Sequence, residues 1–304
     1  MVIIKQMDGV NQIRIGTLVK GDQAVRVIPQ ILEHGFESFS LTFWQTTGTV
    51  NLDELSRQME NILSESDAVI SSLSIFGNPL TGHGDNADTL ASWERLIDKA
   101  RSFGTDLVTG FTGRMPGAIE DSLPKYAEVF GELAKRAQDR GVRIAFENCD
   151  MGGTWEHGDW NIAHNPLAWT HMFEALPADN IGLQWEPCHQ MVSLIDPIPQ
   201  LKKWIKTGKI FSVHGKDATI AWDVVREHGI HGPKQFVWHR TPGFGDTNWT
   251  DVISILRNGG YEGSIDIEGF HDPVYRDALE MTGQVHGLNY LKRCRGGDFI
   301  PNPS

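Results

Sequence analysis

Short runs rich in β-branched and aromatic residues alternate along this chain with longer segments whose apolar residues recur every three to four positions, and eight such pairs follow one another. The strand candidates are residues 14–19, 38–43, 69–76, 107–110, 142–147, 181–186, 210–214 and 264–268. Helix candidates between them fall at 53–64, 92–102, 123–140, 166–175, 199–207, 248–257 and 277–292. Asp53, Asp121 with Ser122, and Asn165 ahead of Pro166 mark helix starts, and Gly104, Gly141 and Gly208 follow helix ends. A strand joined to the next through a helix runs parallel to it, and eight in succession close into a (β/α)8 TIM barrel, an α/β fold. Such a barrel takes about 250 residues. The 304 residues here contain no proline-rich linker, charge run or low-complexity stretch, so a single domain over residues 1–304 is expected. Its long loops follow strands 3, 5 and 7, at residues 77–87, 148–165 and 215–247, on the face where barrels build their active sites.

Four consecutive strand candidates end in a side chain able to bind a metal ion. IAFE ends at Glu147, IGLQWE at Glu186, FSVH at His214 and SIDIE at Glu268. One polar residue at a strand end merely meets solvent, but barrel closure brings four neighbouring strand ends together at one face. Four unrelated residues in salt bridges would leave that shared position unexplained. Three carboxylates and one imidazole form a hard, oxygen-rich set that repels itself without a cation. The set suits a divalent metal, with Mn²⁺ the first expectation and Mg²⁺, Co²⁺ or Zn²⁺ open.

Other residues gather around these strand ends. His189 lies three residues after Glu186, and Pro187 should turn the chain into the loop above the site, which suits a substrate contact or an acid/base role. Lys216 follows the metal histidine and is placed to stabilise an oxyanion or to pair with a ligand carboxylate, whereas Asp217 should orient a neighbour. His239 and Arg240 precede a glycine-rich turn. Arg240 offers a planar fork for a carboxylate or phosphate, against the alternative of a salt bridge that pins its loop. The loop MGGTWEHGDWNIAHNP carries Trp155, Glu156, His157, Trp160 and His164; Trp155 is the candidate to stack on a substrate, the alternative being a local loop core. For His83, in GNPLTGHG, ordinary loop structure is expected, and Cys149 and Cys188 read as small buried hydrophobes.

The segments IAFEN, GLQWEPCH, VHGKD, RTPGFGDTNW and IDIEG resemble the sugar phosphate isomerase/epimerase family of the xylose isomerase-like TIM barrel superfamily, and the resemblance spans nearly the whole chain. That family includes ketose 3-epimerases, inosose dehydratases and hydroxypyruvate isomerases. The resemblance implies that Glu147 and Glu268 bind the metal and also exchange a proton on opposite faces of a substrate carbon. It implies a divalent-metal-dependent isomerase or epimerase of a keto-sugar or related polyol, working through a metal-stabilised enediolate. The alternative is a lyase of the same family, of the C-glycoside deglycosidase type, whose catalytic subunit cleaves a 3-keto-glycoside by β-elimination with a small partner subunit. A homo-oligomer is the other expectation for partners. Those epimerases usually carry aspartate where this chain has Glu186, so metal position and pocket depth are expected to differ.

Charge narrows the choice. With 27 basic against 39 acidic residues the formal charge is −12, and no basic stripe interrupts it, so nucleic acid is not an expected partner. This disfavours an apurinic-site endonuclease on the same barrel, which also needs a histidine-rich trinuclear zinc cluster. A non-catalytic metal- or sugar-binding protein is the remaining class, and turnover of any candidate substrate separates it. No apolar run approaches the ~18 residues of a membrane span and no signal sequence is apparent, which together with three cysteines free of a CxxC pair suggests a cytoplasmic protein.

Overall fold

The computed structural model of the protein describes residues 13–81, 85–297, 300 and 302–303; His83 lies outside the described residues. Its strands are β1 (Arg14–Lys20), β2 (Ser38–Trp44), β3 (Val69–Phe76), β4 (Leu107–Gly110), β5 (Arg143–Glu147), β6 (Ile181–Trp185), β7 (Ile210–Gly215), β8 (Asp217–Ile220), β9 (Val237–Arg240) and β10 (Ser264–Ile267). β1 to β7 and β10 pair side by side, all parallel, and β10 closes on β1 to make an eight-stranded barrel. Helices cover the outside, so β4, β6, β7 and β10 are buried along their whole length, which is why these strands read as apolar runs rather than as alternating ones. The eight strand candidates all find their place in the barrel.

Packing at the fifth strand shows how the helices hold this wall. The helix Ile119–Gln138 buries Tyr126, Val129, Phe130 and Leu133 on one face. Phe130 meets Phe146 of β5 edge-on at 4.7 Å and Trp93 at 5.4 Å. Each such aromatic pair adds about 0.5–1.5 kcal/mol beyond its burial and fixes the strand beneath it. Inside the barrel, Gly16 is required by crowding: a Cβ there would overlap the Ser38 hydroxyl and the Asp266 carboxylate.

Several boundaries differ from the sequence expectation. The helix Leu52–Leu63 is capped by Asn51, whose side chain accepts from the amides of Asp53 and Glu54, so Asp53 lies inside the first turn. The helix expected at 123 begins at Ile119, because Pro124 sits within it rather than at its start, and the Ser122 hydroxyl accepts from the Met115 amide instead of capping. The sequence pattern predicts no helix between the first two strands, yet Ala24–Ile31 is helical. It is eight residues long, contains Pro29 and has no side-chain cap to announce it. The start at Asn165 with Pro166 is observed, and Gly104 and Gly208 hold left-handed conformations at helix ends. Residues 215–247 are more ordered than an irregular loop. β8 and β9 pair antiparallel, Asp217 opposite Arg240 and Ile220 opposite Val237, and the short helix Trp222–His228 lies between them. After β6, the helix Pro187–Val192 likewise stands where a plain loop was expected.

Candidate metal centre

Glu147 is the last residue of β5, Glu186 follows β6 in extended conformation, His214 is in β7 and Glu268 follows β10. Because β5, β6, β7 and β10 are neighbours in the barrel, the four side chains converge. Asn148 ties two of these ends together: its side chain accepts from the Glu186 amide at 2.7 Å and donates to the Glu186 carbonyl at 2.9 Å. One donor atom from each of the four residues lies within 4.8 Å of the others. From His214 Nδ1 the distances are 3.1 Å to Glu268, 3.4 Å to Glu186 and 4.0 Å to Glu147.

This cluster fits a divalent cation on the state of its atoms. Both oxygens of Glu186, Glu268 Oε2 and both ring nitrogens of His214 are buried and have no hydrogen bond of acceptable geometry among the described residues. An unsatisfied buried polar group costs about 1–3 kcal/mol, and here several face one point. A hard cation among them answers all of these unmet groups together. The charges also strain against one another. Burial, then the Glu268 carboxylate, push the Glu147 carboxyl up to about 8. Burial opposes charge on His214, but its contacts with Glu186 and Glu268 prevail and carry it up to about 10.

A second layer surrounds the cluster. Lys216 is buried and its ammonium sits 2.6 Å from Glu268 Oε1 and 3.4 Å from His189 Nε2. Burial alone would raise the Glu268 carboxyl; Lys216 and His214 outweigh it and bring it down to about 2. His189, on the helix Pro187–Val192, stands 2.9 Å from Glu186 Oε1 through Nε2 and 3.6 Å from Asp150 through Nδ1. These carboxylates raise His189 well above the usual imidazole range against the effect of burial. His239 meets His189 edge-on at 5.3 Å and His271 at 5.7 Å. Burial, then the Lys216 and His189 charges, lower His239 to about 4, leaving it neutral.

A cavity of about 1090 Å³ opens over this layer, bordered by Glu147, His189, Lys216, His239, Glu268 and His271. Glu186 and His214 are fully buried behind it. The cavity therefore meets two of the four clustered residues, Glu147 and Glu268.

Two of the residues expected at the substrate lie elsewhere. The Trp155 indole donates to Glu120 at 2.9 Å and packs toward His171, against the outer helices rather than in the cavity. Arg240 is 3.3 Å from Asp272 and lies over Phe244, which is the loop-pinning arrangement. Asp217 is an organiser: its carboxylate accepts from the amides of Ala218 and Thr247 and from the Trp249 indole. Cys149 and Cys188 are buried thiols pushed up by burial and so kept protonated. The cavity wall also contains residues that the sequence reading passed over, among them Trp44, Phe76, Phe111, Asp150 and His271. Phe76 and Trp44 carried a signal, since each ends a barrel strand on the same face as the glutamates.

Known proteins are similar to this chain in sequence or in fold. An uncharacterized protein, YfiH, of Bacillus subtilis is 23% identical over 279 residues, covering 77% of this chain and 84% of that one. An inosose isomerase of Halalkalibacterium halodurans is 30% identical over 152 residues, covering 50% of this chain and 48% of that one. The crystal structure of the 3-keto-D-glucoside 4-epimerase YcjR from E. coli superposes with a TM-score of 0.69 at 13% identity, covering 93% of this chain and all of that one. Among the described residues no helix is long and apolar enough to cross a membrane. The family profile described as xylose isomerase-like TIM barrel matches residues 28–294, and the chain belongs to that family.

Proposed function

We propose that the protein is a divalent-metal-dependent isomerase or epimerase of a keto-sugar or related polyol. The observation that carries this is the division within the cluster: Glu186 and His214 are sealed behind the cavity, while Glu147 and Glu268 border it. Two buried residues then serve only to hold the ion, and two also reach the substrate. A cation bound there, Mn²⁺ by the hardness of the donors, would polarise a substrate carbonyl and acidify the adjoining C–H.

The protein's own groups supply the proton transfers. Glu268, brought down to about 2 chiefly by Lys216 against burial, is the ionised base. Glu147, which borders the cavity from the end of β5, is the second carboxylate within reach of the substrate. Two carboxylates that both reach the substrate can divide removal and return of the proton between them. Return of the proton to the same carbon from its other face gives an epimer, and return to the neighbouring carbon gives an isomer. The Lys216 ammonium and the His189 imidazolium lie beside Glu268 and Glu186, where they orient the carboxylates and donate to an oxygen that gains charge. A second reading is β-elimination from a 3-keto-glycoside, for which the cavity of about 1090 Å³, lined in part by Trp44, Phe76 and Phe111, has room for a group attached to the sugar.

Solvent deuterium tests the proton transfer. Turnover of keto-sugars in D₂O should place deuterium in a substrate or product C–H bond, and Glu147→Gln and Glu268→Gln should each slow that exchange by about 10²-fold or more. Turnover with the original hydrogen fully retained would establish a hydride shift instead. Metal content of both variants must be measured alongside, because each glutamate is also a proposed ligand.

A further inference from the structure

The cavity has two unlike halves. One is the charged floor described above. The other holds an apolar wall separate from the main core: Phe76, Phe111 and Cys149 form their own cluster, with Met151 and Trp160 packed on it, and Lys20, Asp22, Thr42 and Thr46 line the cavity near its outer end. The wall runs outward from the cluster of glutamates and histidine. Phe76 meets His214 edge-on at 6.4 Å, Phe111 lies 5.2 Å from Phe76, and Trp160 leads to Trp44 at 5.6 Å. Trp44 ends this path at the cavity with 60% of its surface exposed, the most of any tryptophan among the described residues. Its backbone is held in the sheet, as the last residue of β2, in register with Phe76, and the Gln45 amide after it donates to the Phe76 carbonyl at 2.9 Å. An exposed indole carried on a strand end of fixed backbone, continuous with the reacting end of the cavity, offers a contact surface for a flat apolar group.

We infer that the substrate has two parts, a keto-sugar ring over the charged floor and a planar apolar substituent, such as an aryl aglycone, stacked on Trp44 and lined by Phe76 and Phe111. This rests on the keto-sugar reading for the ring and adds the chemistry of what is attached to it. A lone sugar ring would leave most of the volume filled with water against aromatic surface. A glycoside with a flat apolar group displaces that water, and its sugar oxygens remain with Lys216 and His189.

The test is equilibrium binding to the Mn²⁺-loaded enzyme of two synthetic probes, phenyl and methyl β-D-ribo-hexopyranosid-3-ulose. The phenyl compound should bind about tenfold more tightly, the scale of one good aromatic stack with its burial. Trp44→Ala should reduce that ratio to near one through loss of phenyl affinity, and Trp44→Phe should restore part of it. Because Trp44 is largely exposed, these variants should fold, which far-ultraviolet dichroism and metal content check. Equal affinity for the two probes in the wild-type enzyme, no binding of the phenyl compound, or a ratio unchanged in Trp44→Ala would overturn the inference. Binding is read without turnover, so a phenyl preference with no solvent exchange would leave this inference standing and remove the proposed reaction. Exchange without a phenyl preference would do the reverse.

Discussion

At the scale of single residues, the site turns on how a buried ammonium sets a carboxylate. Lys216 touches Glu268 at 2.6 Å, and its charge is the largest influence that lowers the Glu268 carboxyl to about 2, against burial. Lys216→Met removes the ammonium, so the Glu268 carboxyl rises, and a base that must be ionised is lost earlier as pH falls. The acid limb of kcat/KM should therefore move to higher pH, by about one unit or more for loss of a close opposite charge. An acid limb that stays in place in Lys216→Met would take Glu268 out of the base role. The four clustered residues were legible in the sequence because each stands at the end of a buried strand, where fold and direction are fixed together. Trp155 and Arg240 were not, since sequence places a residue on a loop without saying which way its side chain turns; one turned to Glu120 and the other to Asp272. Asp150 and His271 were missed for a related reason: their contacts with His189 and His239 join segments far apart in the chain.

At the scale of elements, the helix Glu280–Arg295 is tied back to the start of the barrel through ion pairs to Glu37. Arg295, almost wholly buried, donates to Glu37 at 2.6 and 2.9 Å and to the Ile13 carbonyl, while Glu37 also accepts from the Ile15 amide at 2.9 Å. Burial opposes ionisation of Glu37, but Arg295, the Ile15 amide and Lys292 prevail and lower its carboxyl below the ordinary value. A depressed folded value means that the stabilisation is complete above the unfolded pKa, about 4.3, and is lost as pH falls through the folded one. Glu37→Gln should cost about 2 kcal/mol at pH 7, the scale of hydrogen bonds to a charged group. It should also flatten the fall in stability below pH ~4.3, as read by urea unfolding across pH. An unchanged midpoint at pH 7 would show that the clamp contributes nothing. The sequence offered no hint of this clamp, because 258 positions separate its partners. It did reveal the strands it joins, since parallel strands under helices must be apolar. Helix starts were read less well, as at Asn51 and Ala118, where a cap or its absence is settled by side-chain geometry.

At the scale of the whole molecule, the proposed ion links the ends of four neighbouring strands, β5, β6, β7 and β10, which span half of the barrel wall. In the unfolded chain the same residues are separated by 28 to 54 positions, Glu147 to Glu186 to His214 to Glu268, so no site exists there. A ligand that binds the folded state alone stabilises it by RT ln(1 + [L]/Kd), about 2.7 kcal/mol at a hundredfold excess over Kd. In a barrel of this size each kcal/mol moves the melting temperature by roughly 2–4 °C, so adding Mn²⁺ to metal-stripped protein should raise it by roughly 5 °C or more. Chelation should reverse the shift. The chain's net charge of −12 makes a control necessary, because any divalent cation relieves general repulsion at an acidic surface. His214→Ala provides it. The substitution leaves the surface charge in place but removes the one imidazole from the cluster, and His214 is fully buried, so the effect on the ion is direct. If the cation acts at the cluster, the Mn²⁺-dependent rise should vanish in His214→Ala and bound metal should fall with it. A rise of equal size in both proteins would assign the stabilisation to the acidic surface and withdraw the four residues as a metal centre.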